Sequence, residues 1–230
     1  MNIKKIARKI KRKVSRFTQR PKKYELYSYL DENGNFDYEL YKDIQDAGNK
    51  RKLDRSWATE EDMIFLSSQI RRHVAKPNFG ICHGTRRGLE QQWLSENLHD
   101  IKIIGTDIAD SATDFPNTIQ WDFHEEKPEW VGKADFVYSN SFDHSYDPKK
   151  SLSTWMRSLK PDGICILQHA AIDHSPESVN ELDPFGANLD ILPYLILTWS
   201  EGNYSVREII PSPDVKNGKN SCFLIIKNNE

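Results

Sequence analysis

Polar side chains recur in four short stretches of the sequence, each at the end of an apolar run of strand length. They are His83-Gly84-Thr85-Arg86, Thr106-Asp107-Ile108, Asp122-Phe123 and Asn140-Ser141-Phe142-Asp143-His144. A glycine turn that leads into a helix leaves N–H groups free to bind an anion or a carboxylate. An aspartate at the next strand end can accept hydrogen bonds from both hydroxyls of a ribose. The third stretch adds an acceptor and an aromatic face for an adenine.

Asp143 and His144 are also candidates for catalysis. Histidine is the usual proton acceptor near neutral pH, so His144 could remove a proton from a substrate. The alternative is that both residues order a loop ahead of Pro148, and the sequence shows no nucleophile for His144 to activate. Zinc spacings, phosphate-binding loops and a Ser-His-Asp order are also missing from the sequence. We therefore predict no metal ion, no nucleoside-triphosphate chemistry and no acyl transfer.

The elements that must position these residues alternate between strand and helix from residue 78 onward. The predicted strands are Phe79–His83, Ile101–Asp107, Thr118–Trp121, Ala134–Ser139 and Gly163–His169, and the helices between them are Leu89–Asn97 and Lys149–Leu159. An earlier helix is predicted between Thr59, as its N-cap, and Pro77. The alternation favours an α/β sheet of parallel strands joined by right-handed crossovers. In such a sheet ligands bind at the carboxyl ends of the strands.

The alternation of strand and helix ends near the C-terminus. A helix is predicted from Asn188 to Trp199, and strands are predicted at Tyr204–Ile210 and Cys222–Lys227. The loop between these strands has only about a dozen residues, which is too short for a packed crossover helix. We therefore expect the last pair of strands to be antiparallel.

Taken in order, these motifs resemble those of class I S-adenosylmethionine-dependent methyltransferases, type 11 in particular. The glycine turn is ICHGTRRG, the acidic strand ends are IIGTDIAD and IQWDFHE, and the fourth strand has the polar tip ADFVYSNSFDHSYDP. LKPDGICIL is similar to the LKPGG turn that opens the fifth strand in this family. The resemblance covers roughly residues 59 to 228. It implies a Rossmann-like seven-stranded methyltransferase sheet, mostly parallel, with an antiparallel C-terminal strand.

The resemblance also implies S-adenosyl-L-methionine as cofactor and methyl transfer to an oxygen or nitrogen of an acceptor that the sequence does not identify. The residues it assigns to cofactor binding are Cys82, His83, Gly84, Arg86, Asp107, Ile108, Asp122, Phe123, Asn140 and Ser141. Two alternatives stay open: a non-catalytic domain of the same fold, held at a membrane or a partner, and an RNA methyltransferase.

The glycine turn departs from the family pattern. Gly80 stands where the family has an acidic residue, and Cys82, Gly84 and Arg86 stand at the three glycine positions. An arginine at such a position is strained, so the turn should follow a different path. Either Arg86 or Arg87 lies near the methionine carboxylate of the cofactor, or the site has degenerated into a scaffold.

The chain is divided by charge. Residues 1–23 hold eleven Lys and Arg and no acidic residue, while the rest of the chain holds 21 basic and 34 acidic residues, a net charge of −13. Ile3, Ile6, Ile10 and Val14 form an apolar stripe, which predicts a basic amphipathic helix over residues 1–23 that suits an anionic membrane surface. An RNA-contacting arm and a solvated tail are the alternatives, and the acidic body argues against nucleic acid.

The remaining organisation follows from composition and length. We predict a connector at residues 24–58 and one methyltransferase-like domain at residues 59–230. No apolar run approaches the ~20 residues that cross a bilayer. The three cysteines, Cys82, Cys165 and Cys222, lie in apolar runs without a CxxC spacing, which favours free thiols in a reducing compartment. We therefore expect a cytoplasmic protein with a possible peripheral membrane contact.

Overall fold

The computed structural model of this chain describes residues 22–213 and 220–229, in which five helices and nine strands are defined. The helices are α1 (Tyr38–Arg51), α2 (Glu60–His73), α3 (Leu89–Leu98), α4 (Pro148–Ser158) and α5 (Leu192–Trp199). The strands are β1 (Tyr24–Leu26), β2 (Phe79–His83), β3 (Lys102–Asp107), β4 (Thr118–Gln120), β5 (Ala134–Ser139), β6 (Leu159–Ala170), β7 (Phe185–Ala187), β8 (Tyr204–Pro211) and β9 (Ser221–Asn228).

Seven of these strands form one sheet in the order β4-β3-β2-β5-β6-β9-β8. Strands β4, β3, β2, β5 and β6 are parallel to one another, and β9 is antiparallel to both β6 and β8. This arrangement confirms the predicted seven-stranded, mostly parallel sheet with an antiparallel C-terminal strand. Strands β1 and β7 pair with each other in a separate antiparallel ribbon.

Local sequence signals account for the helix starts. The Thr59 side chain accepts a hydrogen bond from the Asp62 N–H at the start of α2. Asp147 does the same for the Lys150 N–H in α4, where Pro148 occupies the first turn. These are ordinary N-cap positions. Helix α3 instead follows Gly88, which has φ +82° and provides no side-chain cap.

Apolar layers pack on both faces of the sheet. One layer holds Met63, Leu66 and Ile70 of α2 together with Leu94 of α3. The other is built around Trp155 of α4, with α5 beside it. Because both faces are covered, the parallel strands are nearly continuous in buried residues, as in β5, where every residue is buried.

Two element starts differ from the prediction by four residues, and the other boundaries differ by less. Strand β6 begins at Leu159 and therefore includes the LKPDG turn, since Leu159 pairs with Ala134 across a register shift. Helix α5 begins at Leu192, because residues 188–191 form a turn in which the Ile191 N–H donates to the Asn188 carbonyl.

The segment before α2 carries two elements that sequence analysis left undefined, β1 and α1. Asp37 caps α1 through the Leu40 N–H, and α1 extends over 14 residues. The predicted basic helix at residues 1–23 falls almost wholly outside the described ranges. Within those ranges we found no helix with the length and apolar character that crossing a membrane requires.

Candidate functional site

The carboxyl ends of β2 and β5 lie side by side at the point where the strand order reverses. A crevice forms at such a point because the following loops leave toward opposite edges of the sheet. Gly84 follows β2 with φ +72°, and a Cβ there would come within 2.5 Å of the Ser141 Cβ. The Ser141 hydroxyl donates to the Gly84 carbonyl at 3.1 Å. This contact explains why the central glycine of the turn is kept.

Arg86 adopts a left-handed conformation with φ 51° at the third glycine position. This conformation costs a non-glycine residue about 1–2 kcal/mol. The Arg86 N–H donates to Asp107 Oδ2 at 2.8 Å, and its guanidinium donates to the carbonyls of Lys52 and Arg55 at 3.0 and 2.8 Å. Arg86 therefore fastens the segment after α1 to the glycine turn.

Asp107 ends β3 and is almost fully buried. Its Oδ1 accepts hydrogen bonds from the Ala109 N–H at 3.0 Å and from Asn49 Nδ2 at 2.6 Å. Burial raises the pKa of Asp107, and the hydrogen bonds from Ala109 and Arg86 oppose this rise. Both carboxylate oxygens are thus engaged by the glycine turn, the following loop and α1.

Asp122 follows β4 and is engaged in a similar way. Its Oδ1 accepts from the His124 N–H at 2.9 Å and lies 2.7 Å from His124 Nδ1, while its Oδ2 accepts from the Tyr38 hydroxyl at 2.9 Å. Burial raises the pKa of Asp122, but the hydrogen bonds from His124 and Tyr38 outweigh it and hold the pKa below its usual range. A second α1 side chain thus reaches an acidic strand end.

The space between the two aspartates is nearly filled. It measures about 30 Å³ and is bounded by α1 residues on one side and by strand-end residues on the other. The lining residues include Tyr41, Gln45, Asn49, Ile108 and Phe123. Because this volume suits roughly one water molecule, a nucleoside can enter only if α1 side chains move.

A larger cleft of about 450 Å³ opens beside this space. Its basic residues come from the glycine turn and the segment after α1, and most of its acidic residues come from the loops after β5 and β6. They are Lys52, Arg55, Arg86 and Arg87 on the basic side and Asp143, Asp173 and Asp183 on the acidic side. The two sides suit ligand groups of opposite charge.

Arg87 and Glu90 lie on the basic side of this cleft, at the start of α3. None of the described residues provides a hydrogen-bond partner for the buried Arg87 Nε. Glu90 is 6% exposed, and its Oε1 accepts from Asn140 Nδ2 at 3.3 Å. Burial raises the pKa of Glu90 to about 7. A guanidinium and a carboxyl so placed suit the carboxylate and ammonium groups of an amino acid.

Asp143 and His144 lie in a single 3₁₀ turn after β5, on the acidic side of the cleft. Asp143 is 8% exposed, and burial raises its pKa to about 6. His144 Nδ1 lies 2.8 Å from Gln45 Oε1, and the His144 carbonyl accepts from the Tyr41 hydroxyl at 3.2 Å. The histidine ring is therefore held by α1, with its Nε2 toward Asp183.

Eight of the ten residues predicted to bind a cofactor line one or both cavities. They are Gly84, Arg86, Asp107, Ile108, Asp122, Phe123, Asn140 and Ser141. Cys82 and His83 line neither cavity. The Cys82 side chain lies in the apolar layer under α2 and α3, and the His83 ring stacks on Trp155 with its pKa lowered to about 3 by burial. Alternation along β2 sends these two side chains to opposite faces of the sheet.

Sequence analysis missed several residues of the site, chiefly those on α1. Asn49 and Tyr38 lie 58 and 84 positions before the aspartates that they contact, and Gln45 lies 99 positions before His144. No local pattern marks such distant pairs. Glu90 could have been noticed as an acidic residue at a helix start, since it lies two residues after Gly88 in the first turn of α3.

The chain matches known proteins in structure and not in sequence. No protein-family profile matches the chain, and no curated protein sequence matches it. The 1,6-didemethyltoxoflavin-N1-methyltransferase of Burkholderia thailandensis, solved with 1,6-didemethyltoxoflavin and S-adenosylhomocysteine, superposes with a TM-score of 0.64 at 14% identity over 90% of this chain and 100% of that chain.

Two further solved structures have the same arrangement. The N-methyltransferase NodS of Bradyrhizobium japonicum, in complex with S-adenosylhomocysteine, gives a TM-score of 0.58 at 12% identity over 81% of this chain and 100% of its own. A TehB-like S-adenosylmethionine-dependent methyltransferase of Corynebacterium glutamicum gives 0.53 at 16% identity over 80% and 96%. At these identities the similarity concerns the fold, and the chain has the Rossmann-like fold of such methyltransferases.

Proposed function

We propose that this protein is an S-adenosylmethionine-dependent methyltransferase that acts on an oxygen or nitrogen of a small acceptor. The observation that carries the proposal is the 450 Å³ cleft at the carboxyl ends of β2 and β5, with the orphaned Arg87 Nε and the buried Glu90 on one side. In this fold the ligand site lies at that point of the sheet. The neighbour that holds 1,6-didemethyltoxoflavin together with S-adenosylhomocysteine supports a small-molecule acceptor.

The residues on the basic side of the cleft fit the methionine part of the cofactor. Arg87 would pair with its carboxylate and Glu90 with its ammonium group, while the uncapped N–H groups at the start of α3 add a favourable dipole. When bound, S-adenosylmethionine supplies an activated methyl group on a sulfonium. The protein would hold the acceptor in line with that group and exclude water from the cleft.

The adenosyl part fits only after a rearrangement of α1. Asp107 and Asp122 are the acceptors that the resemblance assigns to the ribose and the adenine, and here they accept from Asn49 and Tyr38. The cofactor would replace these two donors with its own. Binding would therefore be coupled to movement of α1 side chains.

The acidic side of the cleft is where the acceptor would lie. His144 and Asp143 remain the proposed catalytic pair, with His144 as the proton acceptor for a hydroxyl or amine. The acceptor would have to fit beside three carboxylates, those of Asp143, Asp173 and Asp183.

A second candidate function is a non-catalytic scaffold of the same fold. The observation that favours it is the contact of α1 with both predicted cofactor aspartates, which leaves about 30 Å³ between them. If those contacts never open, the chain would retain the fold without binding the cofactor.

Calorimetry with S-adenosylmethionine and S-adenosylhomocysteine on the purified full chain separates the two functions. We expect one cofactor per chain, and we expect Arg87→Ala to weaken binding about ten- to hundredfold, since a charge-assisted hydrogen bond contributes about 1.5–3 kcal/mol. The control is Arg207→Ala, an exposed arginine on edge strand β8. No heat of binding for either compound, with a folded protein, would support the scaffold instead.

We also propose that residues 1–20 hold the protein at an anionic membrane surface. Their basic residues and apolar stripe support this localisation. The proposal is independent of the cleft.

A further inference from the structure

A cluster of metal-ligating groups lies on the acidic side of the cleft. Asp143, His144 and Asp183 each offer one ligand atom, and these atoms lie within 4.8 Å of one another. A first-row divalent cation with bonds of about 2.0–2.2 Å holds its ligand atoms no more than about 4.4 Å apart, so only a small movement of these side chains is needed to bind one. Sequence analysis did not detect this site, because Asp183 is distant in sequence and no zinc spacing links the three residues.

Asp143 offers a buried oxygen that no described residue satisfies. The residue is 8% exposed, and its Oδ1 has no hydrogen-bond partner in the described part of the chain. Its other oxygen lies 3.8 Å from His174 Nε2, beyond hydrogen-bond distance. A buried carboxylate oxygen without a donor costs free energy, so its position at the cleft points to a ligand.

The hydrogen bonds around His144 fix which ring nitrogen carries the proton. Gln45 Nε2 donates to the Leu182 carbonyl at 2.9 Å, which turns Gln45 Oε1 toward His144 Nδ1 at 2.8 Å. An amide oxygen only accepts, so His144 Nδ1 must donate. In the neutral ring, Nε2 then carries a lone pair.

That lone pair faces a carboxylate oxygen. His144 Nε2 lies 3.6 Å from Asp183 Oδ1, and Asp183 Oδ2 is held by Asn180 Nδ2 at 3.0 Å. Two acceptors that face each other repel unless a proton or a metal cation lies between them. Histidine ligands of metals usually donate their other N–H to an oxygen, as His144 does to Gln45, and ligating carboxylates are themselves hydrogen-bonded.

We propose that Asp143, His144 and Asp183 bind one first-row divalent cation, such as Zn²⁺, Mn²⁺, Co²⁺ or Ni²⁺, with Gln45 as the positioning residue for His144. One imidazole and two carboxylates suit these ions, and affinity should follow their usual order. Three protein ligands leave a coordination position open toward the cleft. A hydroxyl or amine of the acceptor could occupy that position. With the cation bound, His144 Nε2 would hold the cation instead of taking the acceptor's proton. This role, unlike cation binding itself, rests on the proposed function.

The test uses the untagged full chain, freed of metal by a chelator and then titrated by calorimetry with Zn²⁺ and, in parallel, with Mg²⁺. We expect one Zn²⁺ per chain and much weaker binding of Mg²⁺, which prefers all-oxygen sites. Asp183→Asn and His144→Asn should each weaken Zn²⁺ binding at least tenfold, and Gln45→Ala about ten- to hundredfold, the usual effect of losing such a partner.

The matched control is Asp173→Asn, the same chemical change in the same cleft but outside the cluster, which should leave Zn²⁺ affinity unchanged. Circular dichroism checks that each variant folds. Equal Zn²⁺ binding by the parent chain and by Asp183→Asn and His144→Asn would overturn the proposal, as would no binding by the parent; His144 would then be an imidazolium paired with Asp183. S-adenosylmethionine affinity, measured on the same samples, shows separately whether the proposed function fails.

Discussion

At the scale of single residues, the buried carboxyl of Glu90 lowers the stability of the folded protein at neutral pH, and a role in ligand binding can explain its position. Its folded pKa of about 7 lies above the ordinary value of 4.5, because burial disfavours the charged carboxylate. The folded protein thus keeps this proton to higher pH than the unfolded chain does. Stability must therefore fall as the pH rises from about 4.5 to about 7, and the loss is fully present above pH 7. Groups with such shifts are concentrated at functional sites.

We predict that Glu90→Gln removes this pH dependence. At pH 8 the variant should be more stable than the parent by roughly 3 kcal/mol, the equivalent of about 2.5 pKa units, and the difference should disappear near pH 4. Urea unfolding at several pH values measures it. The control is Glu96→Gln on the exposed part of the same helix. Parallel stability curves for the parent and Glu90→Gln would show that the buried carboxyl does not titrate as described.

The residues of the glycine turn show what the sequence could and could not predict. The sequence showed the departure at Arg86 and offered Arg86 and Arg87 as two possible partners for a carboxylate. Deciding between them required the structure, because the carbonyls of Lys52 and Arg55 that bind Arg86 lie 34 and 31 positions earlier in the chain. Arg86 adopts the left-handed conformation, with φ 51°. Its guanidinium binds the carbonyls of Lys52 and Arg55, and Arg87 is therefore the arginine that we propose as partner of the ligand carboxylate.

At the scale of elements, α1 is where sequence analysis predicted least. Its buried positions, Tyr41, Gln45 and Gly48, have helical spacing, but two of them are not apolar, so no hydrophobic periodicity marks the helix. Gly48 lies close to the loop after β6, since a Cβ there would lie 2.6 Å from Leu182 Cδ2 and would have to displace that side-chain tip. The central strands were predicted well for the opposite reason, because their burial comes from continuous apolar runs.

We predict that the double change Asn49→Ala with Tyr38→Phe strengthens S-adenosylmethionine binding. These side chains donate to Asp107 and Asp122 in the described state, and the cofactor must displace them. Without these two donors, the state in which α1 side chains occupy the cofactor site is less stable. A smaller part of the binding free energy is then used to displace them. Calorimetry should show affinity at least about tenfold higher, since each of the two lost hydrogen bonds to a charged group contributes about 1.5–3 kcal/mol.

The control for this prediction is Asp43→Asn, on the exposed face of α1. It should change neither affinity nor melting temperature. The double variant should also melt at a lower temperature without cofactor, because two buried carboxylates lose donors. Weaker binding in the double variant would mean that α1 closes over the bound cofactor rather than competing with it.

At the scale of the whole molecule, the charge is divided between the N-terminal segment and the remainder. Outside residues 1–23 the chain has a net charge of −13, so an anionic surface repels most of it. The segment joins the described part next to β1, where the Lys23 carbonyl accepts from the Asn188 N–H at 2.9 Å. We therefore expect most of the attraction to an anionic membrane surface to come from residues 1–23.

We predict that deleting residues 1–20 abolishes binding to vesicles that contain phosphatidylserine and leaves S-adenosylmethionine affinity and melting temperature unchanged. The deletion removes nine of the eleven basic residues in the segment and none of the residues that the structure describes. Each basic residue near an anionic surface contributes about 1 kcal/mol, and binding should weaken as salt rises. Co-sedimentation with phosphatidylcholine vesicles is the control, because electrostatic attraction is missing there. Binding to RNA but not to phosphatidylserine vesicles at low salt would replace the membrane surface with a nucleic-acid partner.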